Sequence, residues 1–137
     1  MADKIAIDVA AGVIVNTTNQ VCIAKRPNHV PQGGVWEFPG GKVETGETPE
    51  MALARELNEE LGITVQMSRP FLQVWHDYSD RLVLLHVFLV SDFQGEVDGL
   101  ESQPIRWVAP TELSHYAFPG ANMAILAAIE SQRHALL

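Results

Sequence analysis

The chain has few basic residues and a single cysteine. Nine lysines and arginines face seventeen aspartates and glutamates in 137 residues, a net charge of −8. A protein this negative lacks the footprint that neutralises nucleic-acid phosphates, which excludes general binding to duplex DNA or RNA. Cys22, the single cysteine, excludes an internal disulfide. It lies in an apolar, strand-like stretch, so a buried thiol is expected rather than a nucleophile, and a reducing cytoplasm fits. No apolar run is long enough to span a bilayer, and no membrane partner is expected. The start, Met1-Ala2-Asp3-Lys4-Ile5, lacks the basic region and cleavage pattern of a signal peptide. His76, His86, His115 and His134 are scattered without zinc spacing.

What is present suits one core. The composition is 47% hydrophobic, and the length predicts a single domain over residues 1–137, with a monomer as the expectation. Ile5 to Val15 is apolar and β-branched and reads as a strand. Thr17-Thr18-Asn19 reads as a turn, with Gln20 to Ala24 pairing back as a hairpin. Lys25 to Gly34 is a polar loop, and Val35 to Phe38 a short strand. Phe71 to Tyr78 and Arg81 to Ser91 predict a second hairpin across Ser79-Asp80. Leu82 to Val90 is apolar on both faces, as in a central strand. Gln94 to Gln103 is a loop and Ile105 to Val108 a strand. A helical turn begins at Pro110, and Pro119 to His134 predicts a last helix with Ile125, Leu126 and Ile129 inward. Trp36, Trp75 and Trp107 are expected in the core. Helices alternating with strands predict an α/β chain, a three-layer α/β/α sandwich around a mixed sheet.

The densest information lies between Gly41 and Ile63. Thr48 is a natural N-cap, Pro49 suits the first helical position, and Gly62 suits the left-handed stop. Leu53, Leu57 and Leu61 form an apolar stripe. Beside it, Glu56, Glu59 and Glu60 stand one turn apart, a spacing at which like charges destabilise a helix. A divalent cation relieves that repulsion, and hard oxygen ligands favour Mg²⁺, with Mn²⁺ as an alternative. Before the helix, Phe38-Pro39-Gly40-Gly41-Lys42 is a loop whose backbone can approach a ligand closely.

This segment resembles the Nudix box, G-x5-E-x7-R-E-U-x-E-E-x-G-U, where U is a bulky aliphatic residue. Gly41, Glu47, Arg55, Glu56, Leu57, Glu59, Glu60, Gly62 and Ile63 match every fixed position without a gap. The resemblance implies the Nudix sandwich fold and metal-dependent hydrolysis of a nucleoside diphosphate linked to another group. It implies metal ligation by Glu56, Glu59 and Glu60 with the carbonyl of Gly40, and an Arg55 that orients carboxylates, here through Glu59 or Glu47. Two bases stay open, Glu56 and Glu101. The family often places an acid in the loop before the last strand, where Glu101 also reads as a metal ligand or as a plain exposed acid.

Outside the box the chain is similar to the members of the family that hydrolyse 8-oxo-dGTP to the monophosphate and pyrophosphate. The shared residues are Lys25-Arg26, Glu37 to Lys42, Asp80-Arg81, Glu101-x-Gln103-Pro104 and Pro119-x-Ala121-Asn122. This similarity implies that Arg26, Glu37, Phe38, Pro39, Gly40, Arg81 and Asn122 bind a nucleoside triphosphate. The loop from Pro27 to Val35 departs from those relatives, so no contact is carried over to it, His29 included. Asn122 has its own rationale. Normal guanine presents two acceptors, O6 and N7, whereas the 8-oxo form carries a proton on N7. One amide donor and one amide acceptor match the oxidised edge. The plainer alternative is a helix N-cap. A CTP, dCTP or 5-methyl-dCTP pyrophosphohydrolase shares size and box and is the alternative function. A non-catalytic nucleotide sensor is disfavoured because every box carboxylate is present.

Overall fold

In the computed structural model, residues 5–29, 33–133 and 136 are described. The elements run β1 (Ile5–Ile14), β2 (Val21–Lys25), β3 (Trp36–Glu37), β4 (Gly40–Lys42), α1 (Pro49–Leu61), β5 (Thr64–Asp77), β6 (Arg81–Gln94) and β7 (Ile105–Val108). Two 3₁₀ turns, Pro110–His115 and Gly120–Asn122, lead into α2 (Met123–Ser131). A mixed sheet has the order β4-β1-β6-β5, with β1 and β6 parallel and the other neighbours antiparallel. A second, antiparallel sheet has the order β3-β2-β7.

The apolar run of β6 is central, as its pattern requires. Leu85, Val87 and Leu89 face one core with Ile125 and Ile129 of α2. Phe88 and Val90 face the other, with Leu53, Leu57 and Leu61 of α1. β1 alternates likewise, Ala11 and Val13 to the α2 side, Ala10 and Ile14 to the α1 side. The layers are therefore helix, sheet, helix, which is the expected sandwich. Cys22 is buried on the α1 side, and burial pushes its thiol up to about 12, so it is inert as a nucleophile.

Four expectations need correction. β1 and β2 do not form a hairpin: Val15, just past β1, makes an isolated bridge with Val21, and the two strands belong to different sheets. Both edges of β1 are already taken by β4 and β6. Asn16 turns the chain there by accepting from the amides of Thr18 and Gln20. β5 begins at Thr64 rather than Phe71, and its first half carries three register shifts and Pro70, which broke the alternation in the sequence. The last helix starts at Met123, because Pro119 is extended and residues 120–122 make a tighter turn; His134 lies outside the described residues. Trp75 is 61% exposed on edge strand β5 and is not a core residue.

The helix that carries the box is built as its sequence requires. The Thr48 hydroxyl accepts from the Met51 amide at 3.1 Å, and Gly62 adopts φ 73° while donating to Asn58. Leu57 is fully buried between α1 and the sheet. Leu57→Ala should therefore cost about 2–5 kcal/mol, transfer plus cavity. Urea unfolding should show a lower midpoint at unchanged slope; an unchanged midpoint would mean that this stripe does not hold α1 to the sheet.

Candidate functional site

The site grows from two glycines on β4. Gly40 and Gly41 pair with Ala11 and Ala10 of β1. A side chain at Gly40 would run into the backbone of Ala10, and one at Gly41 into the Glu56 carboxylate. Only glycines let the loop lie this close to both β1 and α1.

Arg55 joins that loop to the helix. Its Nε and Nη2 donate to the two oxygens of Glu47 at 2.8 and 2.9 Å, its Nη1 to Glu56 at 2.8 Å, and its Nη2 to the Lys42 carbonyl at 3.1 Å. Glu47 also accepts from the Glu44 amide at 2.9 Å. Hydrogen bonds from Arg55 first, then from the Glu44 backbone, hold the Glu47 carboxyl down at about 2. The same contacts raise Arg55 above its usual value. Glu59 lies 3.5 Å from Arg55 with its side chain 55% exposed.

Glu60 is the opposite case. Burial first, then the charge and hydrogen bond of Glu56, then Glu101 and Glu37, push its carboxyl far above the carboxylate range. Four acids thus converge, Glu37, Glu56, Glu60 and Glu101, coming from β3, α1 and the loop before β7. Sequence reading grouped Glu59 with Glu56 and Glu60 and offered it as a partner of Arg55; the structure places it 3.5 Å from Arg55, and Glu37 adds its charge to those acting on Glu60. Glu37 accepts from Arg26 at 2.9 Å, while burial raises its own carboxyl against that pairing. Among the described residues no three acid or histidine side chains stand close enough to form a finished metal cage. The donor set nevertheless fits a hard divalent cation: the carboxylate oxygens are hard ligands, and the charge of Glu56 beside the buried Glu60 opposes ionisation of Glu60 unless a positive charge offsets it.

On the other side of the β4 glycines lies a cavity of about 320 Å³. Arg26, Glu37, Phe38, Gly40, Gly41, Lys42, Arg81 and Asn122 all reach its wall. Pro39 does not; it is buried, and its carbonyl accepts from Gly12 at 2.9 Å. Phe38 is held flat against Phe118, with centroids 5.2 Å apart. Arg81 lies over the Tyr78 ring at 4.8 Å and pairs with Asp80 at 3.2 Å. Asn122 precedes α2 but makes no side-chain capping bond, so the plainer reading of this residue is not realised.

The cavity floor was missed in the sequence. Ile7 and Val9 of β1 lie beside Val83 and Leu85 of β6, with Ile125 of α2 above them. The signal was the alternation along β1, but which face meets a cavity depends on the sheet partners. His76 and Tyr78, in edge contact at 4.5 Å, complete the wall from the β5–β6 turn.

Glycine loop, arginine clamp and convergent acids sit where Nudix proteins carry theirs. Residues 10–128 match the NUDIX domain family, and the chain belongs to it. It is 39% identical over 124 residues to the 8-oxo-dGTP diphosphatase of Escherichia coli K12, covering 90% of this chain and 96% of that one. It is 36% identical over 129 residues to the CTP pyrophosphohydrolase of the same organism, covering 94% and 95%. Among solved structures, one of MutT from work on Aliivibrio salmonicida and Vibrio cholerae matches with a TM-score of 0.83 at 41% identity, covering 93% and 98%. Nudix hydrolases generally depend on a divalent metal ion.

The Arg55–Glu47 pair has a pH signature. Because the folded state lowers the Glu47 carboxyl from 4.5 to about 2, its stabilisation is whole above about pH 4.5 and is lost as pH falls toward 2. In that window the melting temperature of the native protein should fall more steeply than that of Glu47→Gln. Parallel curves would show that the pair does not contribute to folding.

Proposed function

We propose that this chain is a Mg²⁺-dependent nucleoside triphosphate pyrophosphohydrolase whose substrate is 8-oxo-dGTP, released as 8-oxo-dGMP and pyrophosphate. The observation that carries the reading is the junction of two sites at one glycine pair. An apolar cavity with an uncommitted amide, Asn122, opens on one side, and the acid cluster lies on the other. A base in the cavity would direct its phosphates past Gly40 and Gly41 toward the carboxylates.

In this reading Glu56, Glu59, Glu60, Glu101 and the Gly40 carbonyl hold the cation. When bound, Mg²⁺ would neutralise charge on the phosphate oxygens and acidify water. The chain's own groups do the rest. Arg55 fixes the Glu56 carboxylate against the loop. Glu56 or Glu101 takes a proton from the attacking water. Arg26, Lys42 and Arg81, all on the cavity wall, offset phosphate charge. Phe38 and the floor of Ile7, Val9, Val83 and Leu85 exclude water around the base. Asn122 donates to O6 and accepts from the N7 proton of the oxidised base. A normal guanine meets the same amide with two acceptors and leaves one group unpaired. We assign the enzyme to the cytoplasm, with the nucleotide pool, as a single-domain monomer.

The relative that hydrolyses CTP supports a second reading with the same chemistry and a pyrimidine in the cavity. The ratio of kcat/KM for 8-oxo-dGTP to that for dGTP, dCTP and 5-methyl-dCTP separates the two. Asn122→Ala should lower kcat/KM for 8-oxo-dGTP about tenfold to a hundredfold, at about 1–3 kcal/mol for an unpaired buried group. The loss for dGTP should be smaller. A constant ratio, or a wild type that prefers a pyrimidine outright, would replace the first reading with the second.

The metal assignment has its own test. Glu56→Gln and Glu60→Gln should each lower kcat at least about a hundredfold, because a neutral amide is a poor ligand for a hard cation. Circular dichroism should stay native, since removing a like charge from α1 relieves repulsion. Near-normal turnover in both variants would remove these residues from the site.

A further inference from the structure

The C-terminus of α1 needs donors, and the loop before β7 supplies them. The last carbonyls of a helix have no intrahelical partner. Gly62 satisfies Asn58, while the amide of Asp98 donates to Leu61 and that of Leu100 to Glu60, both at 3.0 Å. A second donor reaches the Glu60 carbonyl from a side chain, Nε2 of Gln103 at 3.1 Å. The other end of the same amide, Oε1 of Gln103, accepts from the Glu101 amide at 2.8 Å. Gln103 is therefore a two-ended clip between residue 60 of the helix and residue 101 of the loop.

The loop is shaped around that clip. Ser102 holds φ 64°, an uncommon conformation for a residue other than glycine, and its amide donates to Gly99 at 3.0 Å. A side chain at Gly99 would strike the Gln103 backbone. Leu100 rests over Gly62, and the Pro104 carbonyl accepts from Lys25 of β2 at 3.0 Å. The segment is tied at the helix, at its own turn and at the second sheet. Glu101 is exposed in the middle, and its backbone amide is held by the side-chain amide of Gln103.

We propose that Gln103 is a positioning residue: by bridging the Glu60 carbonyl and the Glu101 amide, it holds the Glu101 carboxylate in register with the acids of α1 for the hydrolytic step. This rests on the reading of Glu101 as a member of the site. A displacement of about 1 Å at a reacting group costs up to about a hundredfold, so an unclipped loop should be felt in turnover.

The test is a double-substitution cycle on the full chain with Gln103→Met, which keeps length and loses both hydrogen bonds, and Glu101→Gln. Glu101→Gln should lower kcat. Gln103→Met should lower kcat about tenfold with the nucleotide KM unchanged, and the double variant should be no slower than Glu101→Gln alone, because both remove one function. In the metal-free protein, hydrogen exchange of the Glu101 amide should quicken in Gln103→Met. Losses that multiply, a loss carried in KM, an unchanged kcat or an unchanged Glu101 exchange rate would each overturn the positioning role. If Glu101→Gln itself leaves kcat unchanged, the assignment of Glu101 to the site falls, and Gln103 is a helix cap alone.

Discussion

Four hydrogen bonds from the Arg55 guanidinium tie the loop before α1 to the helix. Two go to Glu47, one to the Lys42 backbone and one to Glu56, so one side chain sets β4, the loop and the helix in a single frame. A planar fork with five donors can do this, and a lysine ammonium cannot reproduce it. The contacts are local in energy but not in consequence. Glu56 is pressed against Gly41 on one side and Arg55 on the other, and Glu60 shares its charge one turn later. Arg55 thus fixes the Glu56 carboxylate, while Glu37 is held by Arg26 and Glu101 through the Gln103 amide.

Much of this was legible because it is local. The helix from Thr48 to Gly62 announces its cap, its proline, its leucine stripe and its stop, and each appears in the structure. The fixed spacing of the box carries the arginine clamp. The two-residue turn at Ser79-Asp80 is closed by mutual bonds between Tyr78 and Arg81, as the sequence predicts. The central place of β6 follows from apolar residues on both of its faces.

What was hidden depends on partners far along the chain. That β1 and β2 part into two sheets is decided by β4 and β6, which occupy the edges of β1. The early half of β5 pairs through bulges, so its residues never alternate cleanly. Glu37 joins the cluster because β3 leads within two residues into β4, where the chain crosses from one sheet to the other, and periodicity does not show that crossing.

Glu37 also explains how an acidic protein can present both signs of charge within one small site. Its carboxylate binds Arg26 on the cavity side and raises Glu60 on the helix side. Arg26, Lys42 and Arg81 are three of the nine basic residues, and all three reach one cavity wall. The acids stand across the glycine pair from them. Without a cation this division is costly, since burial and neighbouring charge oppose ionisation of Glu60. The basic wall and the acidic cluster therefore ask for different things. The wall suits an anion by itself, whereas burial and the neighbouring acids oppose the charge of Glu60, which a cation would favour. A phosphate chain arriving with its divalent ion meets both demands together, and the β4 glycines, which leave no side chain between the two halves, let it do so.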